Sequence, residues 1–363
     1  MHGFIRILAA RFLAAVLLLS PGATGNAKEN AEQHRNPSWT LAAKADSILL
    51  RAIDLSGRQR YTAALETFDE VIHLAPRHPA GYLNKAILLE VMSLDFETPV
   101  PQPEFSGLLE KAERRADRLI SRHPASGEGY YYKGMVHSYL AYYEFRDGDN
   151  WLSGLSHGIR AASWLEDCLE RDSSAYDAFT GLGTYYFWKS ERMSFLNWVP
   201  FVEDMREPAL RMLEVARKKA RYTAAQAVNS LVWIQIHREK YRQAEREALS
   251  ILKRYPANRL FLWGLASAAE KAGRWKKART AYERIVASID NEVRESGYIE
   301  IQARAKIALM SHQLGDRERA AKECRWVLGR RNIRLEKFTP NGSERIRRRM
   351  QEMAELAEEL GIR

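Results

Sequence analysis

Cysteine is nearly absent: Cys168 and Cys324 are the 2 in 363 residues, too few for a disulfide framework. Both fall on apolar faces of helical patterns far apart in the chain. Buried free thiols are therefore the expectation, because a disulfide needs Cα atoms within about 7 Å. Long apolar runs are scarce too. The stretch from Phe12 to Leu19 falls well short of the roughly 20 residues that a bilayer-crossing helix needs, and no later segment resembles such a helix, so an integral membrane protein is not expected. With 12 prolines and 21 glycines there is little room for a long disordered tract, while 46% hydrophobic residues are enough for a large core.

Catalytic spacing is also missing. His73, His78, His123, His137, His157 and His237 form no two-histidine helical zinc motif. Gly181 and Gly183 lie inside a helical pattern rather than after a strand, which excludes a phosphate loop. Asp147 and Asp149 around Gly148 lack the later ligands and closing glutamate of a calcium loop. No enzyme, no cofactor and no metal are expected, and no nucleic-acid recognition motif is found.

The start of the chain reads as a processing signal. Arg6 and Arg11 precede the apolar run, then come Pro21 and the small residues Ala23, Gly25 and Ala27. Residues 1–27 are assigned as a signal peptide cleaved after Gly25 or Ala27, and 28–44 as a lead-in. Export to the periplasm is the expectation, with secretion as the alternative. No cysteine near the cleavage region offers a lipid site, and no twin arginine marks folded export.

The rest of the chain is periodic. Tyr61, Ala64, Phe68, Val71 and Pro76 stand at steps of three, seven, ten and fifteen residues from the tyrosine. Leu109, Ala112, Ala116, Leu119 and Pro124 repeat those steps, as do Tyr241, Ala244, Ala248, Ile251 and Pro256. Trp275, Ala278, Tyr282 and Ile285 do so behind Gly273. Partner helices carry Tyr82 with Ala86, Tyr130 with Gly134, and Phe179, Leu182, Gly183 and Tyr186. Ser173 and Arg221 stand where the pattern wants proline. Gly315, Ala320, Cys324 and Val327 mark a last unit.

These positions resemble the tetratricopeptide repeat, of period near 34 residues, over roughly residues 45–332. The resemblance implies an all-α fold: a right-handed α-solenoid of about seven helix pairs plus a C-terminal capping helix, since such units bury their apolar faces only by stacking. The solenoid is assigned to 45–332 with insertions near 94–107 and 189–205. The first insertion carries Pro99, Pro101 and Pro103 and is expected to lie across the surface. The second is too apolar for a solvated loop. Residues 333–363 form a basic linker and the capping helix, whose stripe is Ile346, Met350, Met353, Leu356 and Leu360, started by Ser343 or Asn341.

In this family the groove is lined by first-helix positions. Carried over residue by residue, they are Tyr131, Met135 and Tyr139, then Thr180, Thr184, Phe187 and Trp188, then Asn229 and Trp233, and finally Trp263. An aromatic groove suits a peptide or an apolar small molecule, although aromatic stripes at helical spacing also make core. The carboxylate clamp that some members use on chaperone tails is missing, because Leu49 and Ile53 occupy its polar places. A second surface is charged. The formal balance is +10, and Arg330, Arg331, Arg334, Arg345, Arg347, Arg348 and Arg349 form a basic patch suited to an anionic envelope component, or else a solvated face. The function expected is an exported scaffold that binds a protein or peptide in envelope assembly or transport. The alternative is an accessory protein that holds a small hydrophobic or organic-acid ligand for a transporter.

Overall fold

The computed structural model describes residues 39–146, 150–193, 203–289 and 297–362. The signal peptide, most of the lead-in, Asp147, Gly148 and Asp149, and the apolar heart of the second insertion lie outside the described residues. Among the described residues there are 15 α-helices and no strand, which is seven helix pairs and one extra: an all-α solenoid.

The chain divides into two units. Residues up to 91 together with 101–231 form unit one, and 92–100 together with 232–363 form unit two. Unit one contains α1 (Ala43–Gly57) and α2 (Tyr61–Leu74), most of α3 (Pro79–Phe96), α4 (Gln102–Arg122), α5 (Glu128–Arg146), α6 (Trp151–Arg171), α7 (Ala178–Arg192) and α8 (Arg206–Lys219). The helix α9 (Ala224–His237) crosses the boundary. Unit two continues with α10 (Tyr241–Leu252), α11 (Arg259–Lys271), α12 (Trp275–Ala287), α13 (Tyr298–Gln313), α14 (Arg317–Leu328) and α15 (Pro340–Leu360).

One turn recurs within the pairs. A residue with positive φ stands two places before the second helix at Gln59 (58°), Glu239 (59°), Gly273 (69°) and Gly315 (73°). The next backbone N–H then reaches back five residues: Arg60 to Leu55, Lys240 to Gln235, Arg274 to Ala269 and Asp316 to Ser311, at 2.8–3.0 Å. This bond satisfies a carbonyl that a helix end otherwise leaves unpaired. Glycine meets the positive φ at two of these places without strain, whereas a glutamine and a glutamate meet it at the others.

A second tie joins consecutive pairs. Arg115 Nε donates to Pro76 O (2.7 Å), Arg171 Nε to Pro124 O (3.1 Å) and Arg284 Nη2 to Pro256 O (2.9 Å). The first two guanidinium groups also stack 3.9 Å above the Tyr82 and Tyr130 rings, so the proline that ends one repeat is gripped by the next.

The repeat positions are interior. Tyr61, Ala64, Phe68, Val71, Ala112, Ala116, Ala244, Ala248, Ala278, Ile285, Ala320 and Val327 are all fully buried. Cys168 and Cys324 are buried and free, as their apolar positions predict. Glycine sits where helices cross closely. A Cβ on Gly134 would stand 2.7 Å from Leu165, and one on Gly264 would stand 2.7 Å from Val232. In α7 a Cβ on Gly181 would meet Leu165 at 2.6 Å, while one on Gly183 would meet Ala209 O and Leu213 at 2.9 Å. The glycine pair therefore admits α6 on one side and α8 on the other.

The first insertion is shorter than expected. α3 continues to Phe96 and α4 begins at Gln102 with Pro103 in its first turn, where the missing N–H costs nothing. Between them Pro99 and Pro101 are exposed while Glu97 and Val100 are buried, and the end of α3 is tied into the packing of unit two. Arg259 holds Asp95 through both oxygens, with Nε at 3.0 and 2.9 Å, and both side chains are 2% exposed. Glu97 takes Arg345 and the Thr339 hydroxyl, and its carbonyl accepts from Thr339 N (2.9 Å). The last helix also starts earlier than expected. Thr339, not Ser343 or Asn341, is its cap and accepts from Gly342 N at 3.0 Å. Its stripe packs as expected, with Ile346, Met353 and Leu356 buried and Met350 and Leu360 partly so.

Candidate partner-binding surfaces

The first described residues of unit one, 39–46, have polar groups anchored in segments distant in sequence. Trp39 Nε1 donates to Asp172 at 3.3 Å and Thr40 N to Glu128 at 2.7 Å. Asp46 takes the Arg221 guanidinium and the Tyr222 hydroxyl. The Trp39 ring lies 5.1 Å from Tyr131 and 6.0 Å from Tyr132. Glu128 also pairs with His78 Nε2 at 2.9 Å. Asp177 accepts from the backbone N–H groups of Arg221, Tyr222 and Thr223 (3.0, 2.7 and 2.8 Å) and from the Thr223 hydroxyl (2.9 Å). Burial pushes the Asp177 carboxyl up, and these donors pull it back.

Most of the residues expected to line a groove are interior. In unit one Tyr131, Met135, Tyr139, Thr180, Thr184, Phe187 and Asn229 are buried. Thr180 bonds Thr223 and Thr184 bonds Ser230, each at 2.9 Å, so these hydroxyls are spent on joining α7 to the start of α9. Burial raises the Tyr131 and Tyr139 phenols well above their ordinary value. Trp188 is half-buried, edge-on to Phe187 at 5.1 Å. In unit two Trp233 and Trp263 are half-buried, the latter edge-on to Tyr282 at 5.5 Å. Of the ten, the three tryptophans alone retain substantial accessible surface.

The basic patch divides by role. Arg330, Arg331, Arg334, Arg347 and Arg348 are exposed. Arg345 and Arg349 are buried, the first against Glu97 and the second donating to Gln302 at 3.0 Å and to Glu352. Those two are structural cations rather than parts of a patch. Their alternation with Ile346 and Met350 along one helix face concealed this. Arg330 stacks 3.2 Å from the centre of the Trp326 ring, which Arg304 also approaches, at 4.4 Å.

An apolar surface went unread in the sequence. Trp151, Leu152, Leu155 and Ile159 of α6 are 58, 59, 43 and 53% exposed, and no acid, lysine or arginine interrupts 151–159. Behind them Gly154 and Gly158 face the Phe145 and Tyr185 rings. The spacing over two turns was a legible signal, hidden by the repeat pattern that dominates the second half of the same helix. Contiguous exposed apolar side chains of this size mark interaction surfaces.

Comparison with known proteins bears on the fold. Residues 229–292 match the tetratricopeptide-repeat family. No curated protein matches this chain. Among solved structures, the Cut9–Hcn1 hetero-tetramer of the APC/C is similar at 14% identity, with 96% of this chain and 62% of that chain covered and a TM-score of 0.51. A tetratricopeptide protein from Thermus thermophilus (18% identity, 62% and 98% covered, TM-score 0.40) and one from Cytophaga hutchinsonii (16%, 81% and 98%, 0.42) are also similar. No described helix is long and apolar enough to cross a membrane. Seven helix pairs among the described residues, a turn found in four of them, three proline clamps and the matched segment 229–292 give this chain the fold of a tetratricopeptide-repeat solenoid.

Proposed function

We propose that the protein is an exported scaffold that holds a protein or peptide partner and serves assembly or transport in the cell envelope. The observation that carries the binding half is the exposed apolar stripe of α6 on a fold of scaffold type. With most expected groove residues buried, the partner is taken on exposed surfaces: this stripe, the half-buried Trp188, Trp233 and Trp263, and, for an anionic envelope component, the exposed arginines Arg330, Arg331, Arg334, Arg347 and Arg348. Support for export is the pattern of Arg6, Arg11, the apolar run from Phe12 and the small residues up to Ala27. Sequencing the mature N-terminus from native cells, together with fractionation, tests export: a start at Asn26 or Lys28 in a periplasmic or secreted fraction is expected. A chain beginning at Met1 in the cytoplasm overturns the envelope role. Photo-crosslinking to a protein at Leu155 tests the binding half. A co-purifying small molecule with no crosslinked protein would favour the ligand-holding alternative.

A further inference from the structure

Unit two carries a cleft of about 640 Å³ that the repeat pattern does not explain. Its floor and walls are apolar: Leu249 of α10, Leu265 of α11, Trp275 and Ala281 of α12, and Leu314 at the end of α13. Leu249 and Leu314 are 37 and 40% exposed, although each is a large aliphatic side chain beside well-packed helix faces. Around this floor stand Arg274, Lys276, Lys277 and Arg284, and no acidic residue lines the cleft among the described residues.

The cations are not equivalent. Arg274 (2.6 Å) and Lys277 share the buried Glu245, and Arg284 holds the Pro256 carbonyl as one of the repeat-joining clamps. Lys276 is exposed and makes no ion pair among the described residues. Four cations against one carboxylate leave a positive rim around an apolar floor. The walls are fixed before any ligand arrives, because the opposite side of α12 is tied by Arg279 to Asp316 (2.8 Å) and by Tyr282 against Trp263.

We propose that this cleft docks an acidic amphipathic helix of a partner protein. Leucine-type side chains spaced one turn apart would cover Leu249 and Leu314, and carboxylates beside them would face Lys276 and the Arg284 edge, a helix-in-groove mode. A simple anion is served by the rim and leaves the leucines uncovered. The proposal rests on the scaffold reading and adds to it where, and by what chemistry, one partner segment is held.

The test uses the full chain and a phage-displayed library of random 16-residue peptides, with the winning sequence synthesised and measured by fluorescence anisotropy. Enrichment of peptides with Asp or Glu flanking Leu or Phe at helical spacing is expected. Lys276→Glu should weaken the synthesised peptide about threefold to fivefold, as a partly exposed ion pair is worth, and Leu314→Asp should weaken it about tenfold or more, as loss of a covered aliphatic contact is worth. Both positions are exposed, and an unchanged thermal transition shows that the variants fold. Enriched peptides that lack acids, or that bind both variants as they bind the parent, overturn the cleft while leaving the scaffold reading intact. No enrichment at all also overturns the cleft. A dimer of the parent chain that Leu314→Asp dissolves would assign the cleft to a second copy and overturn the proposal in that way.

Discussion

Asp95 and Arg259 are both buried and paired with one another. Removing one partner of such a pair strands the other in a poor solvent. Asp95→Ala is therefore expected to cost about 3–5 kcal/mol, read from urea unfolding, whereas a loss below about 1 kcal/mol would mean that the guanidinium is solvated. Glu239 presents the opposite case, since it is exposed and held at a φ of 59°. Glu239→Gly should raise stability by about 0.5–1 kcal/mol by removing left-handed strain, and a lower melting temperature would contradict the turn. The paired imidazoles of His137 and His157, Nδ1 to Nδ1 at 3.0 Å, add a pH dependence. Burial lowers His137 to about 4, helped by His157, Arg160 and Lys133 and opposed by Asp117. The neutral ring is thus favoured in the fold. Its stabilisation is complete above the ordinary histidine value near pH 6.5 and is lost as pH falls toward 4. His137→Gln should flatten the melting temperature over that range, and an unchanged profile would show that another group sets it.

At the scale of helices, much was legible because the repeat imposes identities at fixed spacing. Tyr61, Tyr241 and Trp275 are each the first residue of their helix, and Gly183 faces a neighbouring helix as the pattern predicts. Gly183→Leu should overpack α7 against α8 and cost about 1–3 kcal/mol. An unshifted melting curve would count against that crossing. The proline clamps were not legible, because Arg115, Arg171 and Arg284 look like ordinary solvated charges until their prolines are placed beside them. Pro99, Pro101 and Pro103 misled in the other direction. Three prolines read as a long break, yet Pro103 sits in a first helical turn and α4 is already under way at Gln102, soon after α3 ends at Phe96.

For the whole molecule, the repeat register was easier to read than the binding surface. First-helix aromatics such as Tyr139 and Phe187 look alike whether they line a groove or fill a core, and the decision depends on residues far away in sequence. In unit one Trp39 packs against Tyr131, and Asp46 is bonded to a residue 175 positions on. Arg345 and Arg349 show the same limit for charge. Nothing local distinguishes them from Arg347 and Arg348 except the helical face that meets Gln302 and Glu97.

The binding proposal turns on the exposed α6 stripe and Trp188 as the surface that holds a protein. Crosslinked capture from native envelope fractions, comparing the parent chain with a folded Leu155→Ser, Ile159→Ser, Trp188→Ala variant, tests it most directly. A discrete protein captured by the parent and lost from the variant is the expected result. Equal capture by both, or none by either, would contradict it.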